Sequence, residues 1–173
     1  MVLMQNTKRI MVIGGPGSGK TTLATQLGKQ LNLPVYFMDN MFWKPHWVQR
    51  SNMDMQAMLR HAVESDRWVI EGNNSSSFPD RVSRADAIVF LDLSTGLRLW
   101  RIICRTIQYW GKTRPAFTEN CPERFDLNFL KYALIYRISG RLKALTILES
   151  PIPDTQIIHL KTKQSVKSFM QSL

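Results

Sequence analysis

Five short runs rich in apolar residues divide the chain, and the segments between them carry apolar residues at helical spacing. The runs lie at residues 10–13, 35–38, 67–70, 87–93 and 156–160. The first, Ile-Met-Val-Ile, is continuously apolar, as a strand buried on both faces of a parallel sheet is. After it, Leu23, Leu27 and Leu31 recur every four residues beside Ala24 and Gly28, which predicts a helix. Met55, Met58, Leu59, Ala62 and Val63 predict a second, opened by Ser51 with Asp54 three residues on. A third runs over about 95–110, with Leu97, Trp100, Ile103, Cys104 and Ile107 as its apolar side. A long fourth covers about 127–148, with Leu130, Leu134, Ile138, Leu142 and Leu145 as its stripe and Ser150-Pro151 as its end. Val166, Phe169 and Met170 mark the last. Strands alternate with helices and no repeat interrupts them. The expectation is one three-layer α/β/α domain over residues 1–173, built on a parallel five-stranded sheet.

Between the first strand and the first helix stands Gly14-Gly15-Pro16-Gly17-Ser18-Gly19-Lys20-Thr21, followed by Thr22. This spacing, G-x-x-x-x-G-K-[ST] between a strand and a helix, is the phosphate-binding P-loop pattern, so the domain is expected to have a P-loop NTPase fold. Small residues let successive backbone N–H groups turn toward an anion, and the helix N-terminus adds the positive end of its dipole. Gly15, Pro16, Gly17, Ser18, Gly19, Lys20, Thr21 and Thr22 are the candidate ATP-binding residues. Lys20 reaches the β- and γ-phosphates and Thr21 ligates Mg²⁺ in this reading.

Acids follow three of the strands. Asp39 comes at the C-terminal end of the second, where parallel sheets bind ligands. Glu71 ends the third and Asp92 the fourth; either suits the magnesium side of a phosphate site. Phe42, Trp43 and Trp47 crowd one loop, which either packs on its own domain or walls a pocket. Arg98, Arg101 and Arg105 share a helix face that is either solvated or turned to anions. Residues 111–126 are irregular, as a lid is.

Charge changes the picture more than size does. The chain carries +10, and residues 98–143 hold ten cations against three acids. That attracts nucleotides, nucleic acid or acidic surfaces. No apolar run approaches the roughly 18 residues of a membrane span, and the first nine residues do not form a secretory leader, so a cytoplasmic protein without membrane attachment is expected. Cys104 and Cys121 are expected as free thiols, and three scattered histidines suggest no metal cluster.

These pieces together resemble the adenylate-kinase-like branch of P-loop kinases. More narrowly they resemble bacterial proteins known as DNA topology modulation proteins, through the P-loop, the Asp39-to-Trp47 loop, Trp68-Val-Ile-Glu-Gly-Asn73, Phe90-Leu-Asp-Leu93, Gly111-Lys-Thr-Arg-Pro115 and Cys121-Pro-Glu-Arg124. The resemblance implies strand order 2-3-1-4-5 and a lid at about 111–126. It puts Asp39 on the acceptor side, Glu71 near Mg²⁺, and Lys161 and Thr162 near the adenine. It makes Arg101, Arg105, Arg114, Arg124, Arg137 and Arg141 candidates around the transferred phosphate, with Arg114, Arg137 and Arg141 first. Monophosphate kinases follow the acidic Gly with Phe-Pro-Arg, whereas Asn73-Asn74-Ser75 stands here. The expected function is ATP- and Mg²⁺-dependent transfer of the γ-phosphate to a small-molecule acceptor. The alternative is an ATP-switched, DNA-associated regulatory protein; no separate DNA-binding module accompanies the basic charge.

Overall fold

A strand with no exposed face must have neighbours on both sides and a layer above and below. Residues 10–14 of β1 (Arg9–Gly14) are all buried, and β1 is the central strand. In the computed structural model, which describes residue 3 and residues 6–149 and 154–173, β1 pairs in parallel with β5 (Trp68–Glu71) on one side and β6 (Ala87–Leu91) on the other. Beyond them lie β2 (Val35–Phe37) and β7 (Gln156–Leu160), giving the order β2-β5-β1-β6-β7. A separate hairpin, β3 (Trp43–Lys44) and β4 (Val48–Gln49), accounts for the numbering; the five sheet strands counted alone follow 2-3-1-4-5.

Two apolar layers cover the sheet. One joins Leu23, Ala24 and Leu27 of α1 (Lys20–Leu31) to Phe169 of α8 (Lys163–Gln171). The other joins Met38 and Met41 of α2 (Met38–Phe42) to Leu59 and Ala62 of α3 (Asn52–Glu64), Phe78 of α4 (Phe78–Val82) and Ala144 of α7 (Gly140–Glu149). Ser51 caps α3 by accepting from Asp54 N at 3.1 Å, and Thr162 opens α8 with a reciprocal bond to Ser165.

Two expectations need correction. The long helix over 127–148 is two, α6 (Leu127–Ile135) and α7, joined by a turn. Ser139 and Gly140 propagate a helix poorly, and the Tyr136 ring occupies the space a Cβ at 140 would need, 2.6 Å away. The end expected at Ser150-Pro151 lies outside the described residues. Helix α5 (Thr95–Gln108) is rotated from the expected pose: it buries Arg98, Ile102 and Thr106 and leaves Trp100, Ile103, Cys104 and Ile107 exposed. Among the described residues no helix is long and apolar enough to cross a membrane.

Candidate active site

β1 delivers the chain into the loop at the C-terminal edge of the sheet. The loop turns tightly because Gly17 (φ 76°) and Gly19 (φ 95°) adopt left-handed conformations. At Gly17 a Cβ would come 2.3 Å from Arg98 O, so no other residue fits against α5. Lys20, the first residue of α1, folds back: its Nζ donates to Gly15 O at 3.3 Å and lies 3.7 Å from Glu71 Oε1. Thr21 Oγ1 donates to Glu71 Oε2 at 3.4 Å. Three of the expected site residues therefore converge where β1 and β5 end side by side. Glu71 is buried, and burial pushes its carboxyl above the ordinary range against the opposing pull of Lys20, Arg114 and the Thr21 hydroxyl.

Asn73 does work that the sequence did not reveal. Its amide oxygen accepts from Gly14 N at 3.1 Å and its amide nitrogen donates to Gly14 O. One side chain thereby satisfies both backbone groups at the root of the P-loop and fixes the end of β5 to the end of β1. Arg81, fully buried, holds the next residues by donating to Gly72 O and Asn74 O at 2.9 and 3.0 Å. Burial lowers its pKa to about 9, so it remains cationic at neutral pH.

The arginine face of α5 closes the loop from behind. Arg98 Nη1 donates to Pro16 O and Ala133 O, both at 3.2 Å, its Nε to Leu93 O, and its Nη2 to Thr95 Oγ1. The guanidinium is buried over the Tyr136 ring, and burial lowers its pKa. Arg101 donates to Ser18 O at 3.1 Å. Arg105 donates twice to Glu123 Oε1, at 2.9 and 2.7 Å. Arg114 reaches Asp39 Oδ2 at 3.3 Å and Glu123 Oε2 at 3.9 Å. A line of alternating charge thus runs Asp39–Arg114–Glu123–Arg105 from the second strand's end to the P-loop side.

Glu123 belongs to the irregular segment 111–126, which is tied at its base by Gly111 N to Glu123 O (3.1 Å) and Glu123 N to Lys112 O (2.9 Å). Its tip rests on the aromatic loop: Thr118 Oγ1 donates to Trp43 O, His46 N to Asn120 O, and Trp47 Nε1 to Pro122 O. Phe42, Trp43, Trp47 and Phe117 pack edge to edge or tilted, and the first three are not among the residues lining the central cavity. The aromatic loop is a seat for this segment.

The cavity, about 540 Å³, is lined by the P-loop from Pro16 onward, Asp39, Glu71, Asn73, Arg101, Arg105 and Arg114. Tyr109, Phe129, Tyr132, Val166 and Met170 line it too, and Val166 and Met170 also pack against the core, as their periodicity predicts. Asp92, Arg137, Arg141, Lys161 and Thr162 do not line it. Asp92 accepts from Arg141 Nε and Nη2 at 2.7 and 2.8 Å and lies 3.0 Å from His159 Nε2. Arg137 is exposed, and Thr162 caps α8.

Residues 10–92 match the model of the ATPase family associated with various cellular activities (AAA). The chain is 26% identical over 144 residues to cytidylate kinase of Pyrobaculum calidifontis, covering 75% of each chain. Shikimate kinase from Acinetobacter baumannii, solved with shikimate, superposes with a TM-score of 0.60 over 96% of this chain and 90% of its own, at 16% identity. A gluconokinase from Sinorhizobium meliloti gives 0.52 over 98% and 90%, at 18% identity. The chain shares the three-layer α/β fold of these two solved kinases. These relatives carry three different acceptors in their names.

Proposed function

We propose that the protein is an ATP- and Mg²⁺-dependent phosphotransferase acting on a hydroxyl group of a small molecule. The observation that carries this reading is the convergence of Lys20, Thr21 and Glu71 in the same cavity as the Asp39–Arg114 pair. The residues suit the nucleotide. Gly17 and Gly19 give the left-handed turns that let the loop backbone curl, and Ser18 Oγ is buried without a hydrogen-bond partner inside the loop. They suit the metal too: the Thr21 hydroxyl and the Glu71 carboxylate lie 3.4 Å apart in the cavity, and Mg²⁺ is commonly held by one or two carboxylates, waters and the substrate phosphates. Thr21 and Glu71 would hold it; when bound, it neutralises charge on the phosphate oxygens.

Lys20 and the P-loop N–H groups orient the polyphosphate, and Arg101 and Arg105 face its transferred end. Asp39 hydrogen-bonds the acceptor hydroxyl and takes its proton as the oxygen bonds to the γ-phosphorus and the bond to ADP breaks. Arg114, now on Asp39, moves its charge toward the phosphoryl group as the acceptor enters. A lid seated on the aromatic loop keeps water out. Much of the basic charge has a use here: Arg98, Arg101, Arg105, Arg114 and Arg141 all turn to partners within the fold. This supports a kinase over a DNA-associated switch.

The test is Mg²⁺-dependent ATP consumption across nucleoside monophosphates, nucleosides and hydroxylated metabolites. One compound should stimulate turnover, and Lys20→Ala should cut it by on the order of 10³-fold. Asp39→Asn should leave ATP affinity within about twofold and lower kcat by on the order of 10²-fold or more. Tight ATP binding with no stimulated turnover would overturn the reading.

A further inference from the structure

Helix α5 presents its apolar side to water along its whole length. Trp100 is 64% exposed, Ile103 40%, Ile107 72% and, just past the helix, Trp110 62%. The stripe is not an accident of packing. The opposite face carries Arg98, Arg101 and Arg105, which the P-loop and Glu123 hold inward, so the apolar face has nowhere to go but out. It continues beyond the helix, because Ile103 shares a small cleft with Phe125, itself 54% exposed. The neighbouring α6 is apolar on nearly every side yet buries only Ala133, leaving Leu127 71% and Leu134 52% exposed. A helix apolar all round is normally buried.

We propose that α5 pairs with α5 of a second copy of this chain across a two-fold axis. Two observations favour a copy over other occupants. The first is area. With side chains of roughly 100–250 Å² each, the exposed apolar groups of the α5–α6 layer sum to on the order of 800 Å², more than a monomer usually shows and about what each partner gives a stable interface. The second is charge. The outward stripe (Gly96, Trp100, Ile103, Cys104, Ile107) contains no charged residue, so two copies meet without like charges opposed at the centre. Antiparallel pairing centred between residues 103 and 104 sets Trp100 against the second copy's Ile107. It brings Cys104 beside its own symmetry mate. Gly96 has open space above it, with no atom within 4 Å of a built Cβ, and so leaves room for a bulky side chain from the other copy.

Sedimentation velocity from 0.5 to 100 µM, without lipid, tests this directly. A concentration-dependent dimer is expected, with a bismaleimide crosslinker joining copies through Cys104 and failing with Cys104→Ser; Cys121 is buried. Trp100→Ala and Ile107→Glu should each weaken the dimer at least about tenfold, while circular dichroism and ATP affinity stay unchanged, since neither side chain lines the cavity. A monomer at 100 µM overturns the proposal, whether or not it then binds phosphatidylglycerol vesicles. A dimer that neither variant weakens also overturns it, because the contact would lie elsewhere.

Discussion

The half of the molecule built on β1, β5 and β6 and the helix α5 treat polarity in opposite ways. In the first, apolar side chains go inward and the chemistry sits where strands end: Glu71 beside Thr21, Asn73 on Gly14. In the second, cations go inward and apolar groups face out: Arg98 is 2% exposed and Trp100, two residues on, 64%. The reason is the backbone that α5 packs against. Arg98 and Arg101 donate to the carbonyls of Pro16 and Ser18 in the P-loop, and a helix has two faces. When the charged one is committed to the loop, the apolar one is left facing outward.

The most direct way to break this comparison is to remove the buried cation. Arg98→Met keeps the bulk but leaves the carbonyls of Pro16, Leu93 and Ala133 without their donor. We expect a loss of about 3 kcal/mol, read as a fall of roughly 10 °C in melting temperature that saturating ATP only partly restores. Unchanged stability would mean that the inward arginine face is incidental.

A smaller effect sharpens the other side. Asn73→Ala deletes the two bonds to Gly14, and we expect about a tenfold loss in kcat/KM with a stability change near 1–2 kcal/mol. The separable signature is a rise in KM for ATP that Asn73→Gln, with the same amide on a longer arm, does not rescue. A pure stability loss with unchanged kinetics would reduce Asn73 to a strand tie.

What the sequence disclosed divides along the same line. Every sheet strand and the P-loop with Lys20 and Thr21 follow from local rules, because in a buried parallel sheet hydrophobicity and burial coincide, whereas local rules leave Glu71 and Asp92 unranked and only the resemblance prefers Glu71. Local rules failed for α5, where periodicity identified the helix but oriented it by its apolar face; only the three-dimensional neighbour, a loop that requires cations, decides otherwise. They failed again at 127–148, where the leucine spacing continues through a turn set by Tyr136 against Gly140. Arg141 is placed around the transferred phosphate by the resemblance alone. Its partner, Asp92, is forty-nine residues away in sequence, beyond the reach of any local pattern. Asn73 stood out beforehand only as a departure from Phe-Pro-Arg, and its bond to Gly14 spans fifty-nine residues.

Asp92 offers the finest test, since it sits where the two regions meet. Burial alone would raise its pKa, but hydrogen bonds from Arg141 and His159 and their charges outweigh that and hold it below the ordinary carboxylate range. A folded pKa below the unfolded one means that the pairing stabilises the fold in full above the unfolded value, near pH 4, and is lost as pH falls from there through the lower native value. Asp92→Asn should therefore cost about 1 kcal/mol at pH 7 and flatten the acid limb of the stability curve below about pH 5. Urea unfolding across pH 3–8 measures both. Turnover at pH 7.5 should stay within about twofold, because neither Asp92 nor Arg141 lines the cavity. If turnover falls by on the order of 10²-fold while stability holds, the magnesium-side acid is Asp92 rather than Glu71. The boundary between a structural pair and the phosphate site would then have to be redrawn around Arg141.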